Sequence, residues 1–140
     1  PETRHEKIIL ASIVEREAAL AVEAPLIAGV FYNRLNISMP LQSCATVEYI
    51  ITEIQNRPHP KKLFDVDIAI DHPYNTYLYR GLPPGPIANP GRTALKAVYA
   101  PQSSDYLYFR LVDAQEGKHA FSKTYNQHLE YGLLLQNRGY

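Results

Sequence analysis

Between Arg57 and Gly91 the chain carries most of its prolines, and this stretch limits the fold more than any other. Proline fixes φ, removes a backbone donor and interrupts helices and inner strands alike, so neither a long helix nor a central strand fits here. No hydrophobic period persists through the span. LFDVDIAI, from Leu63 to Ile70, alternates briefly and is equally compatible with a short turn of helix. Tyr74, Tyr77, Leu78, Tyr79, Leu82 and Ile87 bring too much apolar surface for a loose tether. Long irregular segments in small domains are functional or disordered, and here the composition argues against disorder. We therefore expect an ordered wall flanking a groove.

Regular structure is confined to either side of that wall. Thr3 and Glu6 form a T-x-x-E capping box, which predicts a helix start near Arg4. EKIILASIVEREAALAV, Glu6 to Val22, places Leu10, Ile13, Val14, Leu20 and Ala21 on one helical face, with an end expected near Glu23 because Pro25 cannot continue it. Pro25 suits the first turn of a second helix buried through Leu26, Ile27, Val30, Phe31 and Leu35. NISMPLQSCA then connects to a third helix, about Thr46 to Gln55.

Beyond the wall, Ala94, Leu95, Ala97 and Val98 mark a short helix ending before Pro101. YLYFRLV, Tyr106 to Val112, reads as a strand, and DAQEGK turns it into a partner around His119 to Phe121. Ser122 is placed to cap a last helix through Tyr125, Leu129, Leu133 and Leu134 that stops before Gly139. The class is α+β: one helix-rich domain over residues 1–140 with a small antiparallel sheet.

One residue breaks the apolar pattern. Glu17 stands four residues after Ile13 and three after Val14, on the buried stripe of the first helix, whereas Glu15 points elsewhere. Burying an unpaired carboxylate is costly, and such a group raises its pKa and holds a proton, which is what a general acid requires. The structural alternative is that Glu17 answers a cation or caps a neighbouring segment.

Composition removes several classes. The chain has 14 basic and 14 acidic side chains and no block of like charge, so neither nucleic acid nor a membrane surface is an expected partner. The lone cysteine, Cys44, excludes an internal disulfide, and His5, His59, His72, His119 and His128 lack metal-motif spacing; no metal or cofactor is expected. No apolar run reaches the roughly 18 to 20 residues of a membrane span. The 11 tyrosines suit a groove for ligands that are ring-shaped and polar, such as sugars.

The motifs ASIVEREA, VFYNRL, MPLQS, PYNTY, GLPPGPIANPG, ALKAV, YLYF and HAFSKTY follow one another from Ala11 to Tyr125. In that order they resemble the catalytic domain of MltG-type, or YceG-like, endolytic murein transglycosylases. The resemblance implies a cell-envelope enzyme on the outer face of the bacterial inner membrane, excised here from a longer protein with an N-terminal membrane anchor. It implies cleavage of peptidoglycan glycan strands between N-acetylmuramic acid and N-acetylglucosamine without water, one carboxyl group serving as acid and then as base. The family glutamate falls on Glu17, with Glu15 as the alternate. Gln42, Ser43, Tyr74, Asn75, Thr76 and Asn89 match polar positions expected to line the sugar groove, although asparagine also supports irregular backbone. Glu23 matches an acidic position and is expected to be structural, answering Arg34, with support of the site from behind as the alternative.

The sequence departs from the family at Ala18, where a hydroxyl residue is common, and at Cys44 and Ala45, which replace an Asp-Pro pair. That replacement motivates a rival reading: a silent glycan-binding or scaffolding module recruiting cell-wall synthesis proteins. A third reading, an ordinary glycosidase, needs a second carboxylate from Asp65, Asp67 or Asp71.

Overall fold

The computed structural model describes residues 3–137, with side chains as far as Leu133. Helix α1 spans Arg4–Glu17 and opens with the capping box: Thr3 Oγ1 accepts the Glu6 N–H and Glu6 Oε1 accepts the Thr3 N–H, both at 3.1 Å. Ile9, Leu10, Ile13 and Val14 are buried along it.

The helix stops at Glu17, short of the predicted end near Glu23, and Ala18 is extended at φ −88° and ψ 111°. Propensity does not end it, since alanine and leucine follow. The cause is tertiary. Gly117, at φ +74° in the hairpin turn, approaches so closely that a Cβ there would lie 2.5 Å from that of Ala19. Glu23 accepts the His119 N–H at 3.0 Å and pairs with its ring Nδ1 at 3.0 Å, pinning the segment to the hairpin. Leu20 is therefore only half-buried and Ala21 exposed, and the expected stripe ends at Val14.

A single 3₁₀ turn, Ala21–Glu23, leads into α2, Ala24–Asn36, with Pro25 in its first turn. Helix α3, Cys44–Tyr49, begins two residues before the expected Thr46 and runs on as a π-helical turn, Ile50–Ile54. LFDVDIAI resolves as a short helix, α4, Asp65–Ile68. Helix α5 covers Arg92–Tyr99; strands β1, Tyr108–Asp113, and β2, Lys118–Ser122, form the antiparallel hairpin. Helix α6 covers Tyr125–Asn137.

The cap of α6 differs from expectation. Thr124 Oγ1 accepts the Gln127 N–H at 3.2 Å and Gln127 Oε1 accepts the Lys123 N–H at 3.1 Å, whereas Ser122 is buried on β2 opposite Tyr108. The Leu134 side chain and the stop before Gly139 lie outside the described residues.

Helices α1, α2 and α5 enclose the core, built from Leu10, Ile13, Val14, Ile27, Phe31, Leu41, Ala94, Ala97 and Val98. Each large member contributes about 1.5–3 kcal/mol by leaving water. Phe109 joins the hairpin to this core edge-on against Phe31, ring centres 5.7 Å apart. The proline-rich span is tied to α1 by two bonds: the Ile87 N–H donates to Ser12 Oγ at 3.0 Å, and the Gly91 N–H to Glu15 Oε1 at 2.6 Å. Leu82 and Ile87 pack on the core, so irregular backbone here is ordered backbone. The result is an α+β domain whose catalytic-candidate helix ends where the hairpin, the α3 start and the irregular wall meet.

Candidate active site

Glu17 is the last residue of α1, and the break behind it aims its side chain into a cleft of about 330 Å³. Leu41, Gln42, Ser43 and Cys44 form one side, Tyr77 reaches in from the irregular wall, and Tyr108, Phe109, Arg110, Tyr125 and His128 close the other. The residue keeps an edge on the cleft while its carboxyl is enclosed by protein.

That carboxyl takes the place of a helix cap. Ser43 occupies the N-cap position of α3, yet its hydroxyl donates to Glu17 Oε1 at 2.7 Å, and the Ala45 N–H donates to the same carboxyl. Burial pushes the Glu17 pKa up. The Ser43 hydroxyl and the Ala45 N–H pull it back, the Glu48 carboxylate raises it further and His119 lowers it slightly; the net direction is upward. The outcome is a carboxyl oriented by two donors and still biased toward holding its proton.

Ser43 is itself held from below. Its N–H donates to Thr76 Oγ1 at 2.9 Å, Thr76 Oγ1 shares a hydrogen bond with Thr46 Oγ1 at 2.9 Å, and the Gln42 N–H donates to the Thr76 carbonyl at 3.2 Å. Gln42 adopts φ +52°, a left-handed conformation costing a non-glycine residue about 1–2 kcal/mol, and this turn carries the chain into α3 with Ser43 facing Glu17.

The predicted polar residues thus separate by role. Gln42 and Ser43 line the cleft with Glu17. Thr76 is buried beneath them, and Asn75 is fully enclosed with its amide committed to the Ile68 and Ile70 carbonyls at 3.0 and 2.7 Å and its oxygen accepting the Tyr77 N–H at 2.9 Å. The tight turn so formed sends Tyr77 into the cleft and Tyr74 away from it, against Tyr49 at 4.9 Å between ring centres. Asn89 lies exposed on the wall, outside the cleft lining.

Two further expectations are revised. Glu23 answers His119, not Arg34. Arg34, buried on α2, donates through Nε to the Leu107 carbonyl at 2.7 Å and through Nη1 to those of Pro40 and Leu41 at 2.9 and 3.0 Å, stitching the cleft floor to the approach to β1. Glu15 is on the surface, capping the start of α5 through Gly91.

Cys44 stands 3.1 Å from the Tyr77 hydroxyl. Burial raises its thiol pKa; the Tyr77 hydrogen bond lowers it, and Glu17 and Glu48 raise it further, so the thiol stays protonated and is a poor nucleophile. Burial also pushes the Tyr77 phenol upward, so it remains a neutral donor. Asp65, Asp67 and Asp71 are absent from the cleft: Asp67 accepts the Phe64 N–H at 2.8 Å and Asp71 the Tyr79 hydroxyl at 2.5 Å.

Sequence reasoning missed the far side of the cleft, Tyr108, Arg110, Tyr125 and His128. A signal existed in the strand period, which puts Tyr108 and Arg110 on one face, but β1 alone does not say that α6 folds back across it. Tyr108 stacks on His128 at 5.1 Å and lies 5.8 Å from Tyr125, with the Arg34 guanidinium 5.1 Å over its ring.

Comparison with known proteins identifies the family. The family model described as the YceG-like family matches residues 1–132. The chain is 41% identical over 124 residues to an endolytic murein transglycosylase of Bacillus subtilis, covering 89% of this chain and 32% of the relative. It is 39% identical over 126 residues to an endolytic murein transglycosylase of Streptococcus pneumoniae, covering 90% of this chain and 23% of the relative. It spans less than a third of either relative's length. A crystal structure of a yceG-like protein from Listeria monocytogenes superposes with a TM-score of 0.78 at 41% identity, over 90% of this chain and 38% of that one. With a family match over nearly its whole length and a shared backbone, this chain belongs to the YceG-like family.

Proposed function

We propose that this domain is the catalytic part of a peptidoglycan lytic transglycosylase and that Glu17 is its acid and base. The observation that carries the reading is an enclosed carboxyl with a raised pKa, fixed by Ser43 and Ala45, as the only Asp or Glu among the described residues lining the cleft. Hydrolytic glycosidases need two carboxyl groups, one as nucleophile or to activate water. A single carboxyl suffices when the nucleophile belongs to the substrate.

In the proposed reaction, protonated Glu17 gives its proton to the glycosidic oxygen as the bond from that oxygen to C1 of N-acetylmuramic acid breaks. The C6 hydroxyl oxygen of the same sugar then bonds to C1 and its proton passes to Glu17, which returns to its starting state. No water is consumed, and the products are a free 4-hydroxyl and a 1,6-anhydro end. Ser43 and the Ala45 N–H stabilise the carboxylate that exists between the two transfers. Gln42 and the neutral Tyr77 hydroxyl offer donors and acceptors to sugar substituents at the cleft edge. On this reading the domain acts on glycan strands outside the cytoplasmic membrane.

Replacement of the family Asp-Pro pair by Cys44 and Ala45 keeps the Ser43 donor to Glu17 and, because proline has no N–H, adds the Ala45 N–H as a second, which favours an active site over a silent glycan-binding module. The test is digestion of purified sacculi followed by mass spectrometry of the released muropeptides. Anhydro ends support the proposal, and reducing ends would show hydrolysis. No cleavage by the parent chain, with cleavage gained in a Cys44→Asp, Ala45→Pro variant, would establish the silent module.

A further inference from the structure

We propose that Arg110, clamped by α6 at the far end of the cleft, binds a carboxylate carried by the glycan substrate and so selects strands bearing acidic substituents. The inference rests on peptidoglycan being the substrate. It begins from a charge imbalance. Arg34 and Arg110 both line the cleft, and neither forms a salt bridge with a carboxylate among the described residues. Neither is among the charges that act on Glu17, so the cationic end stands apart from the acid. Arg34 has its Nε and Nη1 donors committed to backbone carbonyls and supplies charge; Arg110 retains donor capacity.

The Arg110 guanidinium is held in place before any ligand arrives. One Nη2 contact reaches His128 Nε2 at 3.2 Å. Burial and the two arginines hold the His128 pKa below its ordinary value, so the ring is neutral at pH 7 and accepts that hydrogen bond instead of repelling the guanidinium. Gly132, one helical turn further along α6, lets the backbone lie against the guanidinium: a Cβ there would come within 3.1 Å of Cζ and 3.3 Å of Nη1. Arg110 Nε and His128 Nδ1 are buried without a hydrogen-bond partner among the described residues. A planar fork with fixed orientation, a second positive charge nearby and an aromatic surface from Tyr108 and Tyr125 suits a carboxylate next to a sugar ring. In peptidoglycan that group comes from the stem peptide or, where the peptide has been removed, from the lactyl ether of muramic acid.

The test reads binding, not cleavage, so that it is independent of the catalytic assignment. Glu17→Gln protein is titrated with three soluble glycan strands: peptide-bearing, peptide-free with the lactyl carboxylate exposed, and peptide-bearing with all carboxylates converted to amides. The charged strands should bind about tenfold or more tightly than the amidated one, the scale of a lost charge-assisted hydrogen bond. Adding Arg110→Gln should erase that difference, and Arg110→Lys should restore part of it. Discrimination on the peptide-bearing strand alone assigns the stem peptide; discrimination on the peptide-free strand assigns the lactyl group.

Gly132→Ala provides a second variant in case Arg110→Gln does not fold. The added methyl pushes on the guanidinium without removing it, so affinity for charged strands should fall about two- to fivefold while the far-UV circular dichroism stays that of the parent. Equal affinity for charged and amidated strands, or a difference that survives Arg110→Gln, overturns the proposal. If parent protein releases no anhydro ends while this discrimination persists, it is the catalytic reading that fails and the carboxylate site that stands.

Discussion

The two sides of the cleft are built on opposite principles. On the Glu17 side the buried polar groups form a connected chain: Ser43 Oγ serves Glu17, the Ser43 N–H goes to Thr76, Thr76 goes to Thr46, and Asn75 secures the turn behind them. On the hairpin and α6 side, Arg110 Nε and His128 Nδ1 are buried and unpartnered among the described residues, and the contacts are stacked rings. Saturation fixes one carboxyl in one orientation, as the proposed pair of proton transfers requires. Those two atoms are out of a ligand's reach, so on this side a ligand would meet the outer edge of the Arg110 guanidinium and the faces of the rings.

The largest expected effect lies on the saturated side. Glu17→Gln should lower release of anhydro muropeptides by about 10²–10⁴-fold, the range for loss of a general acid or base, with the fold retained. Stability supplies an independent check. The folded-state pKa of Glu17 is raised above its ordinary value, so the native state binds a proton more readily than the unfolded chain. The parent therefore loses stability as pH rises from the ordinary glutamate range through the raised value. Glu17→Gln should show no such loss and should melt higher than the parent at neutral pH, the difference vanishing in acid. A variant that cuts as fast as its parent, or a parent whose stability rises through that window, breaks the comparison at its centre.

Next in size is the support beneath the acid. Ser43→Ala removes a donor that holds the carboxylate form in place, so activity should fall about tenfold and the alkaline limb of the pH–rate profile should move upward. Thr76→Val keeps the shape but leaves the Ser43 N–H and the Thr46 hydroxyl without this partner, costing about 1–3 kcal/mol in denaturant unfolding as well as activity. Breaking the Glu23 bond to His119 acts at greater remove. Glu23→Ala should destabilise the chain by about 1–3 kcal/mol, because the His119 N–H loses its acceptor and the segment following α1 is no longer pinned to the hairpin. If the break after Glu17 depends on that pin, Glu23→Ala also lowers kcat; loss of stability with kcat intact would assign the break to the Gly117 approach alone.

How far these regions were legible in the sequence follows the same division. The capping box at Thr3, the proline start of α2 and the aromatic strand are local signals, and all three elements formed where local chemistry put them. The stop of α1 at Glu17 was not legible, because Ala18 to Leu20 favour helix and the competing force is a contact with Gly117, almost a hundred residues along the chain. Glu17 itself was visible as a carboxylate on an apolar stripe, and Ser43 through its motif. The roles of Thr76 and Asn75 beneath the cleft were not, since a hydroxyl or amide looks the same in sequence whether it faces a sugar or a backbone. Arg110, His128 and Gly132 escaped because their meaning depends on α6 crossing β1.

The smallest effect concerns Cys44, which belongs to the saturated side yet stands where the resembling family carries an aspartate. Its sulfur meets the Tyr77 hydroxyl, and burial of the thiol together with the Glu17 and Glu48 carboxylates holds its pKa above the ordinary value. A thiol so placed has no part in either of the proposed proton transfers, and Cys44→Ser preserves a group that can pair with Tyr77. Activity should therefore change less than about twofold, well below the effect of an exchange that alters charge beside a buried acid. Alkylation gives the sharper measurement, because thiolate is the reacting form: labelling of Cys44 should be slow at neutral pH and should reach half its maximal rate at a pH above that of an ordinary thiol. Rapid labelling near neutrality would mean a stabilised anion next to Glu17. That anion would raise the glutamate further, and the neutral, hydrogen-bonded environment argued for this side of the cleft would have to be replaced by one organised around two negative charges.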